Sequence, residues 1–286
     1  MKKHNQLFLL VVLLLSIASY AQTEKPALLL SLGYFNSNNQ HQYVVVKAKS
    51  KIDRKFQMIK GIDVAVYITA ISPENLIGKG ITDEKGEISL FIPASAKSEW
   101  NKSAKQSFLL VSKPNKQFNE AQGSLDISKA KLEIDTSADK KISAKLLELK
   151  DSVWSVVKGV DVKLAVKRLG GDLNVNETPS YTTDSLGMVE AEFKRDSLPG
   201  DAKGNLVLVA KVEDNELYGN LSAEKQVPWG ASYKYVSQFD RRTLFARRGK
   251  SPVWLELMAY SIVVAVWGVL IFLVGRIRKI IELGAV

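Results

Sequence analysis

Residues able to carry catalysis or bind a metal are few in this chain. It has no cysteine and only two histidines, His4 and His41. His4 lies in a segment that we expect to be removed, and a single remaining histidine without cysteine excludes a Cys–His pair, a multi-histidine zinc site and a two-histidine iron or copper site. A Ser–His–Asp triad would have to use His41, which lies in the polar loop Asn36–Gln42 with no Gly-x-Ser-x-Gly motif. We therefore predict no enzymatic activity, no metal and no cofactor.

Two aspartates recur at equivalent places and are the most prominent acidic candidates. Segments Thr82–Gly86 and Thr183–Gly187 share the pattern Thr-Asp-x-x-Gly. An aspartate in this pattern accepts a hydrogen bond from the amide two residues on, and the glycine takes the positive-φ position. The predicted turn residues are Asp83, Gly86, Asp184 and Gly187. The alternative is a calcium site, which needs several more oxygen ligands; Asp63 and Asp161 are the nearest further candidates.

These turns belong to a longer internal repeat. Ile59–Val64 (IKGIDV) reappears as Val157–Val162 (VKGVDV) 98 positions later, and the Thr-Asp-x-x-Gly motifs are 101 positions apart. Phe108–Lys113 likewise resembles Leu206–Lys211. Because the matches occur in the same order with nearly the same spacing, they indicate a tandem duplication.

Each copy has the pattern of short β-strands. Glu87–Ile92 and Met188–Phe193 alternate polar and apolar residues, as expected of strands with one buried face. Turn signals such as Ser72-Pro73 and Pro199-Gly200 separate the segments. About seven strands in about 100 residues fits a two-sheet antiparallel sandwich of the Ig-like type. The predicted fold class is therefore all-β, with two tandem Ig-like sandwiches followed by a single C-terminal transmembrane helix.

The two motifs also carry a family resemblance. Lys-Gly-Ile-Asp-Val opening a strand, and Thr-Asp-x-x-Gly leading into Ile-Ser-Leu-Phe-Ile-Pro, resemble the carboxypeptidase-regulatory-like, or transthyretin-like, β-sandwich modules. The resemblance covers residues 43–127 and 141–227, with a departure in the second copy at Glu177–Ser180. It implies Ig-like spacer modules of an exported bacterial protein that have no chemistry of their own.

Both ends of the chain contain apolar segments, of two different kinds. Two lysines precede Leu7–Ile17, and the small residues Ser19 and Ala21 follow, which is the layout of a cleavable secretory signal. An uncleaved N-terminal anchor is the alternative. The second segment, Trp254–Gly275, reaches about 33 Å as a helix, enough to cross a bilayer core of about 30 Å.

These segments predict a single-pass protein of the inner membrane with most of the chain in the periplasm. The predicted domains are residues 1–21, signal peptide; 22–130, first sandwich; 131–229, second sandwich; 230–253, juxtamembrane segment; 254–275, transmembrane helix; and 276–286, cytoplasmic tail.

The positive charge of the chain is concentrated near the predicted membrane span. The formal net charge is +10, but residues 22–239 carry only +3, so we expect no nucleic-acid partner. A basic cluster precedes the span and comprises Arg241, Arg242, Arg247, Arg248 and Lys250. It lies on the predicted outer side, against the positive-inside tendency. We expect it either to contact lipid phosphate or to dock an acidic partner subunit.

Small residues recur along the predicted span. They are Ser261, Ala265, Gly268 and Gly275, at spacings of 4, 3 and 7 that fall on one helix face. A face of small residues lets a second helix approach closely. We predict helix packing there with another membrane protein or with a second copy, although small residues are also simply frequent in such helices.

The sequence thus predicts a non-catalytic accessory or scaffold subunit of an inner-membrane complex for transport, secretion or respiration. Its predicted partners are the lipid bilayer and a membrane protein contacted through the helix. The alternative is a membrane-anchored ligand-binding or adhesive surface module. Trp100, Trp154 and Trp229 could stack on a sugar, but we expect them in the core or at a joint.

Overall fold

The structure is a computed structural model that describes residues 25–195, 197–232 and 251–284. The chain divides into two compact units, residues 1–233 and 234–286. The predicted signal segment, residues 1–21, lies outside the described residues. The same holds for the predicted basic cluster, Arg241, Arg242, Arg247, Arg248 and Lys250.

The described residues of the first unit form seventeen β-strands. Those of the first copy are β1 (Leu28–Ser37), β2 (His41–Ile52), β3 (Lys55–Met58), β4 (Asp63–Ile68), β5 (Leu76–Ile81), β6 (Glu87–Phe91), β7 (Lys105–Ser112) and β8 (Gln122–Ser128). Those of the second copy are β9 (Ala130–Thr136), β10 (Lys141–Lys150), β11 (Val153–Val156), β12 (Asp161–Val166), β13 (Leu173–Asn174), β14 (Tyr181–Thr182), β15 (Met188–Glu192), β16 (Leu206–Asn215) and β17 (Gly219–Val227). A short helix, α1 (Lys97–Lys102), precedes β7.

The two copies have the same sheet arrangement. In the first copy, β1, β2, β3 and β6 belong to one sheet, and β4, β5, β7 and β8 form the other. In the second copy, β9, β10, β11 and β15 form one sheet, and β12, β13, β14, β16 and β17 belong to the other. The fifth strand of the second copy is replaced by two short strands, β13 and β14, on either side of the departing segment Glu177–Ser180. Each copy therefore has eight or nine strands rather than about seven, because the segments before β2 and β10 also form strands.

One parallel strand pair joins the two sandwiches. β1 pairs antiparallel with β2 over its whole length and, at its far end, parallel with β17. The register places Phe35 beside Asn220, and Ser37 beside Ser222. This pairing merges one sheet of each copy into a nine-stranded sheet. The sequence predicts two tandem antiparallel sandwiches and contains no sign of the parallel pair, which links positions 185 residues apart.

Alternation along the strands supplies the core of each sandwich. In β2, Val44, Val46 and Ala48 are fully buried, whereas Lys47 and Lys49 point to the opposite face. Burying a valine side chain contributes about 1.5–3 kcal/mol relative to leaving it exposed. The same alternation recurs in every long strand of both copies, and it fixes the register because a slip of one residue would expose the whole apolar set.

The described residues of the second unit form one long helix, α2 (Val253–Leu283), of 31 residues and about 46 Å. It is the one helix, among the described residues, that is long and apolar enough to cross a membrane. It extends eight residues beyond the predicted span because no glycine or proline interrupts the chain until Gly284. The predicted all-β class with tandem sandwiches and one C-terminal apolar helix is confirmed.

Candidate functional site

The two Thr-Asp-x-x-Gly motifs form matching turns. In the first copy Asp83 Oδ1 accepts hydrogen bonds from the amides of Lys85 (2.8 Å) and Glu87 (2.9 Å). In the second copy Asp184 Oδ1 accepts from the amides of Leu186 and Met188, both at 2.8 Å. The glycines that close the turns, Gly86 and Gly187, both have a φ of +69°. One oxygen of each carboxylate is thus engaged by two backbone amides of its own turn.

The threonine of each motif ties the turn to the repeated Lys-Gly-x-Asp segment. Thr82 Oγ1 accepts from the Ile62 amide at 3.0 Å and donates to the Ile59 carbonyl at 2.9 Å. Thr183 Oγ1 accepts from the Val160 amide at the same distance. Because both threonines are buried, these bonds satisfy groups that would otherwise be lost from water. In each copy, the hydrogen bonds of the threonine therefore connect the two repeated motifs to each other.

The described residues bring no cluster of potential metal ligands together. Nowhere in residues 25–195, 197–232 and 251–284 do three or more His, Asp or Glu side chains lie close enough to hold an ion. A third Asp-x-x-Gly turn, which the sequence interpretation missed, follows the same geometry: Asp201 Oδ1 accepts from the amides of Lys203 and Asn205, both at 2.8 Å. The hydrogen bonds from Asn205 lower the pKa of Asp201. Its signal was the spacing to Gly204.

The turn between β1 and β2 locks the two sandwiches together. Asn38 and Asn39 have φ values of 53° and 55°, a region that asparagine tolerates better than most residues. Asn39 donates to the Leu132 carbonyl (2.8 Å) and accepts from the Leu132 amide (3.2 Å) in β9. Asn38 Oδ1 accepts from the Glu224 amide in β17 at 2.7 Å. Two side chains of this turn in the first copy therefore form hydrogen bonds with backbone groups of β9 and β17 in the second copy.

A buried lysine lies at the same joint. Lys129 is the only residue between β8 and β9 and is 7% exposed. Its Nζ donates to the Trp100 carbonyl and lies 4.6 Å from the centroid of the Trp100 ring. Burial lowers the pKa of Lys129 to about 8. The side chain is enclosed, so its ionisation is coupled to folding.

An aromatic row crosses the outer face of the nine-stranded sheet within the first copy. Phe35, Tyr43 and Phe91 are direct neighbours on β1, β2 and β6. The Phe35 and Tyr43 rings are stacked with centroids 5.1 Å apart, and the Tyr43 and Phe91 centroids are 5.3 Å apart. Phe91 is 64% exposed, whereas the other two rings are half-buried. We call these three residues the aromatic row.

A small cavity of about 210 Å³ adjoins the aromatic row where β1 meets β17. Its lining includes Phe35, Tyr43, Lys211, Glu213, Asn220 and Ser222. Much of this polar lining is already engaged: Lys211 pairs with Asp172, and Asn220 accepts from the Asp214 amide at 3.0 Å. The cavity is therefore largely part of the joint between the sandwiches, and the exposed feature beside it is the aromatic row.

The three tryptophans of the double sandwich differ in their positions. Trp100 and Trp229 pack against the core, as predicted, with Trp229 5.5 Å from the Phe193 ring. The prediction of a core or joint position was wrong for Trp154, which is 42% exposed. It lies on the edge strand β11, where Lys131 Nζ lies 4.9 Å from its ring centroid. Its equivalent in the first copy, Phe56 on the edge strand β3, is also exposed, at 61%, so both copies place an aromatic residue outward on this strand.

The predicted small residues of the span lie on one continuous helix. Ser261, Ala265, Gly268 and Gly275 all belong to α2, so their spacing places them on one face. Ser261 Oγ donates to the Met258 carbonyl within the helix at 2.8 Å. A Cβ added at Gly268 or Gly275 would meet nothing within 4 Å. The helix itself therefore has no steric need for these glycines.

Comparisons with known proteins give little beyond this. No known protein family matches the chain, and no curated protein is similar to it. Solved structures that align with it include Escherichia coli α2-macroglobulin spanning domains NIE–MG1, with 12% identity over 71% of this chain and 98% of that chain and a TM-score of 0.26. The D0–D1 domain of intimin aligns with 11% identity over 70% of this chain and 94% of that chain, at a TM-score of 0.22.

A third alignment is to Parabacteroides merdae β-glucuronidase, with 11% identity over 72% of this chain and 25% of that chain, at a TM-score of 0.25. This chain thus matches about a quarter of the β-glucuronidase. At such low TM-scores these similarities carry no inference, and the assignment of the fold rests on the sheet topology of the chain itself.

Proposed function

We propose that this protein is a non-catalytic, single-span subunit of an inner-membrane complex, with its double sandwich on the periplasmic side. The observation that carries the proposal is α2, a 31-residue helix whose apolar side chains are exposed along its whole length. Such a surface requires lipid or a protein partner to cover it. The preceding unit consists of two sandwiches joined by strand pairing, and we interpret it as a structural part of the protein.

The joint between the sandwiches supports a scaffold role. Two Ig-like modules on a flexible linker would sample many orientations, whereas here β1 and β17 share hydrogen bonds and the asparagine turn inserts into the second copy. A rigid arm can hold a binding surface at a fixed position relative to its own far end. We assign the two copies to the carboxypeptidase-regulatory-like type of module on the strength of their repeated motifs.

The membrane end supports helix association. Gly268 and Gly275 are not needed for the packing of α2 itself, and they lie on one face with Ser261 and Ala265. Arg276 lies 5.4 Å from the Phe272 ring, at the end of the apolar segment where a cation meets headgroups. We propose that the small face contacts a helix of the partner, and that the preceding basic cluster contacts lipid phosphate or that partner.

Purification from native membranes tests this function. The full-length protein is isolated in mild detergent, and co-purifying proteins are identified by mass spectrometry. Replacing Ala265 and Gly268 together by leucine should remove the partner, since leucine keeps the helices apart. The matched control, Val263→Leu with Val266→Leu, enlarges the opposite face and should leave the partner bound. Equal recovery of the partner with both pairs of substitutions would contradict the helix contact.

A ligand-binding or adhesive surface module is the second candidate. The observation in its favour is the aromatic row, since aromatic rings at a sheet surface can stack on a sugar or peptide. This function predicts that a soluble fragment of residues 22–229 binds glycan or peptide without the membrane helix. The accessory function predicts no glycan binding, so a glycan array probed with that fragment separates the two.

A further inference from the structure

The outer face of one sheet in the first copy is unusually apolar for a surface open to solvent. Across β1, β2, β3 and β6, the outward positions include the aromatic row and three further large apolar residues on the same side. These are Leu29, Phe56 and Met58, which are 43%, 61% and 52% exposed. A solvent-facing side of an antiparallel sheet is normally polar. We call these six residues together the apolar face.

The second copy provides an internal reference for the aromatic row, because its strands have the same register; the exposed apolar residues Phe56 and Met58, in contrast, have exposed apolar equivalents in Trp154 and Val156. Tyr43 and Phe91 are neighbours in the first copy, and the equivalent neighbours in the second are Lys141 and Glu192. Phe35 corresponds to Ser137, whose amide donates to the Lys141 carbonyl at 3.0 Å. The same fold thus forms with a charged row at this position. The folding of a sandwich of this type does not require the aromatic row.

The next row differs between the copies in the same way. Val45 in the first copy corresponds to Ser143 in the second. Val45 is outward yet only 8% exposed, so neighbouring side chains cover it. The Phe35 ring lies over Gly33, with its Cε2 3.2 Å from where a Cβ on that glycine would be. The aromatic row is therefore held in a packed arrangement before any partner arrives, which lowers the entropic cost of binding.

The charges at the outward positions of β1, β2, β3 and β6 have one dominant sign, while Glu213 of the neighbouring strand β16 lies beside the aromatic row. The outward positions of β2 include three lysines, Lys47, Lys49 and Lys51, and β6 contributes one carboxylate, Glu87. Glu87 pairs with Lys47 at 3.0 Å, and Lys49 Nζ lies 5.5 Å from the Phe56 ring centroid. The register places the Lys47–Glu87 pair between the aromatic row and the other three apolar residues, and Lys49 between Leu29 and Met58. Exposed aromatic residues and methionine are residue types enriched at protein–protein interfaces, and here they alternate with charges.

We propose that the apolar face is the docking surface for a protein partner whose own surface presents acidic residues interspersed with apolar ones. The charge of the partner is inferred from complementarity: acidic residues would be attracted by the three lysines of the face, which has one carboxylate, whereas basic residues would be repelled. The face extends about 26 Å along the strands and about 10 Å across them, so it would form part of a standard interface of about 800 Å² per partner. This inference deepens the proposed function, since it rests on the protein being a subunit of a complex.

Site-specific photo-crosslinking in native membranes tests the proposal with the full-length chain. The photoreactive variant is Phe91→p-benzoylphenylalanine, which replaces one exposed ring by another and should not disturb folding. The matched control is Glu192→p-benzoylphenylalanine, at the equivalent position of the second copy. Adducts are identified by mass spectrometry down to the cross-linked peptide, and a third variant adds Lys49→Glu and Lys51→Glu to the Phe91 variant.

The expected result is an adduct at position 91 with a protein that also co-purifies with the unmodified chain, through a peptide with Asp or Glu beside apolar residues. The adduct yield should be at least about tenfold lower at position 192, and also after the two lysine reversals. An adduct with lipid, with a second copy or with a basic peptide would overturn the proposal, as would equal yields at the two positions or indifference to the lysine reversals.

The outcomes also separate this proposal from the proposed function. If a partner co-purifies and depends on Gly268 but position 91 forms no adduct, the apolar face is not the docking surface while the membrane-subunit function stands. If position 91 forms the expected adduct with a soluble acidic protein that is insensitive to Ala265 and Gly268, the docking surface stands and the helix contact fails. Resistance of the double sandwich to limited proteolysis in every variant serves as the folding control.

Discussion

Replacing the turn glycines by alanine should destabilise the protein by two clearly different amounts. All four repeated glycines have positive φ: +78° at Gly61, +69° at Gly86, +79° at Gly159 and +69° at Gly187. An alanine with such a φ costs about 1–2 kcal/mol. At Gly61 and Gly159 a new Cβ would meet nothing within 4 Å, so this is the whole cost.

At the other two glycines a steric cost is added. A Cβ on Gly86 would lie 2.8 Å from the Ala48 carbonyl oxygen and 2.9 Å from the Ile59 nitrogen. On Gly187 the closest atoms are the Leu146 oxygen at 2.8 Å and the Val157 nitrogen at 3.0 Å. These neighbours are backbone atoms and cannot rotate away, so overpacking adds about 1–3 kcal/mol. We expect about 3 kcal/mol in total for each of these two substitutions.

Urea and thermal unfolding of residues 22–232, followed by circular dichroism, measures these values. A loss of 1 kcal/mol lowers the melting temperature of a domain of this size by about 2–4 °C, so Gly86→Ala should lower it by about 6–12 °C and Gly61→Ala by about 2–8 °C. Gly170→Ala, at a position with open space around it, is the control and should cost nothing measurable. Equal losses at Gly61 and Gly86 would refute the reasoning.

Three further predictions concern the joint and the turns. Burial lowers the pKa of Lys129 from 10.5 to about 8, so between these pH values the unfolded chain binds more protons than the folded one, and stability should rise with pH. Urea unfolding at several pH values should show this rise, and Lys129→Met should reduce it. Asp184→Ala removes the acceptor of two amide hydrogen bonds and should cost about 1–2 kcal/mol of unfolding free energy, whereas Asp184→Asn, which keeps one oxygen, should cost less. An equal loss of unfolding free energy in the two variants would contradict the role of Asp184 in the turn. Asn39→Gly keeps the backbone conformation but loses both hydrogen bonds to Leu132, so the two sandwiches should be less strongly coupled. Calorimetry should then show a broadened or divided unfolding transition. An unchanged single transition would contradict the role of Asn39 in joining the sandwiches.

The repeat and its strands could be predicted from the sequence because they depend on local signals. Alternation over Glu87–Ile92 and Met188–Phe193 fixed the faces of β6 and β15, and the glycine spacing located the turns that precede them. Such features need only the chain within a few residues. The apolar length of Trp254–Gly275 similarly predicted α2, although its end at Leu283 depends on the absence of a helix breaker in the charged tail.

The joint and the aromatic row could not be predicted, because both depend on register between distant strands. Phe35, Tyr43 and Phe91 lie far apart in the sequence, and only the pairing of β1, β2 and β6 makes them neighbours. The parallel contact of β1 with β17 spans three residue pairs and leaves no pattern in either segment. One indirect signal existed: Tyr43 is an even number of residues from Lys47 and Lys49, so in a strand it had to share their outward face.

The membrane topology can be measured on a clean background because the chain has no cysteine. Glu84→Cys places a thiol where the side chain is 92% exposed in the first sandwich, and Leu283→Cys places one at the end of α2 where the residue is 71% exposed. A membrane-impermeant maleimide added to intact spheroplasts should label position 84 at once and position 283 only after permeabilisation. Labelling of position 283 in intact cells, or protection of position 84, would contradict a periplasmic double sandwich held by one membrane span.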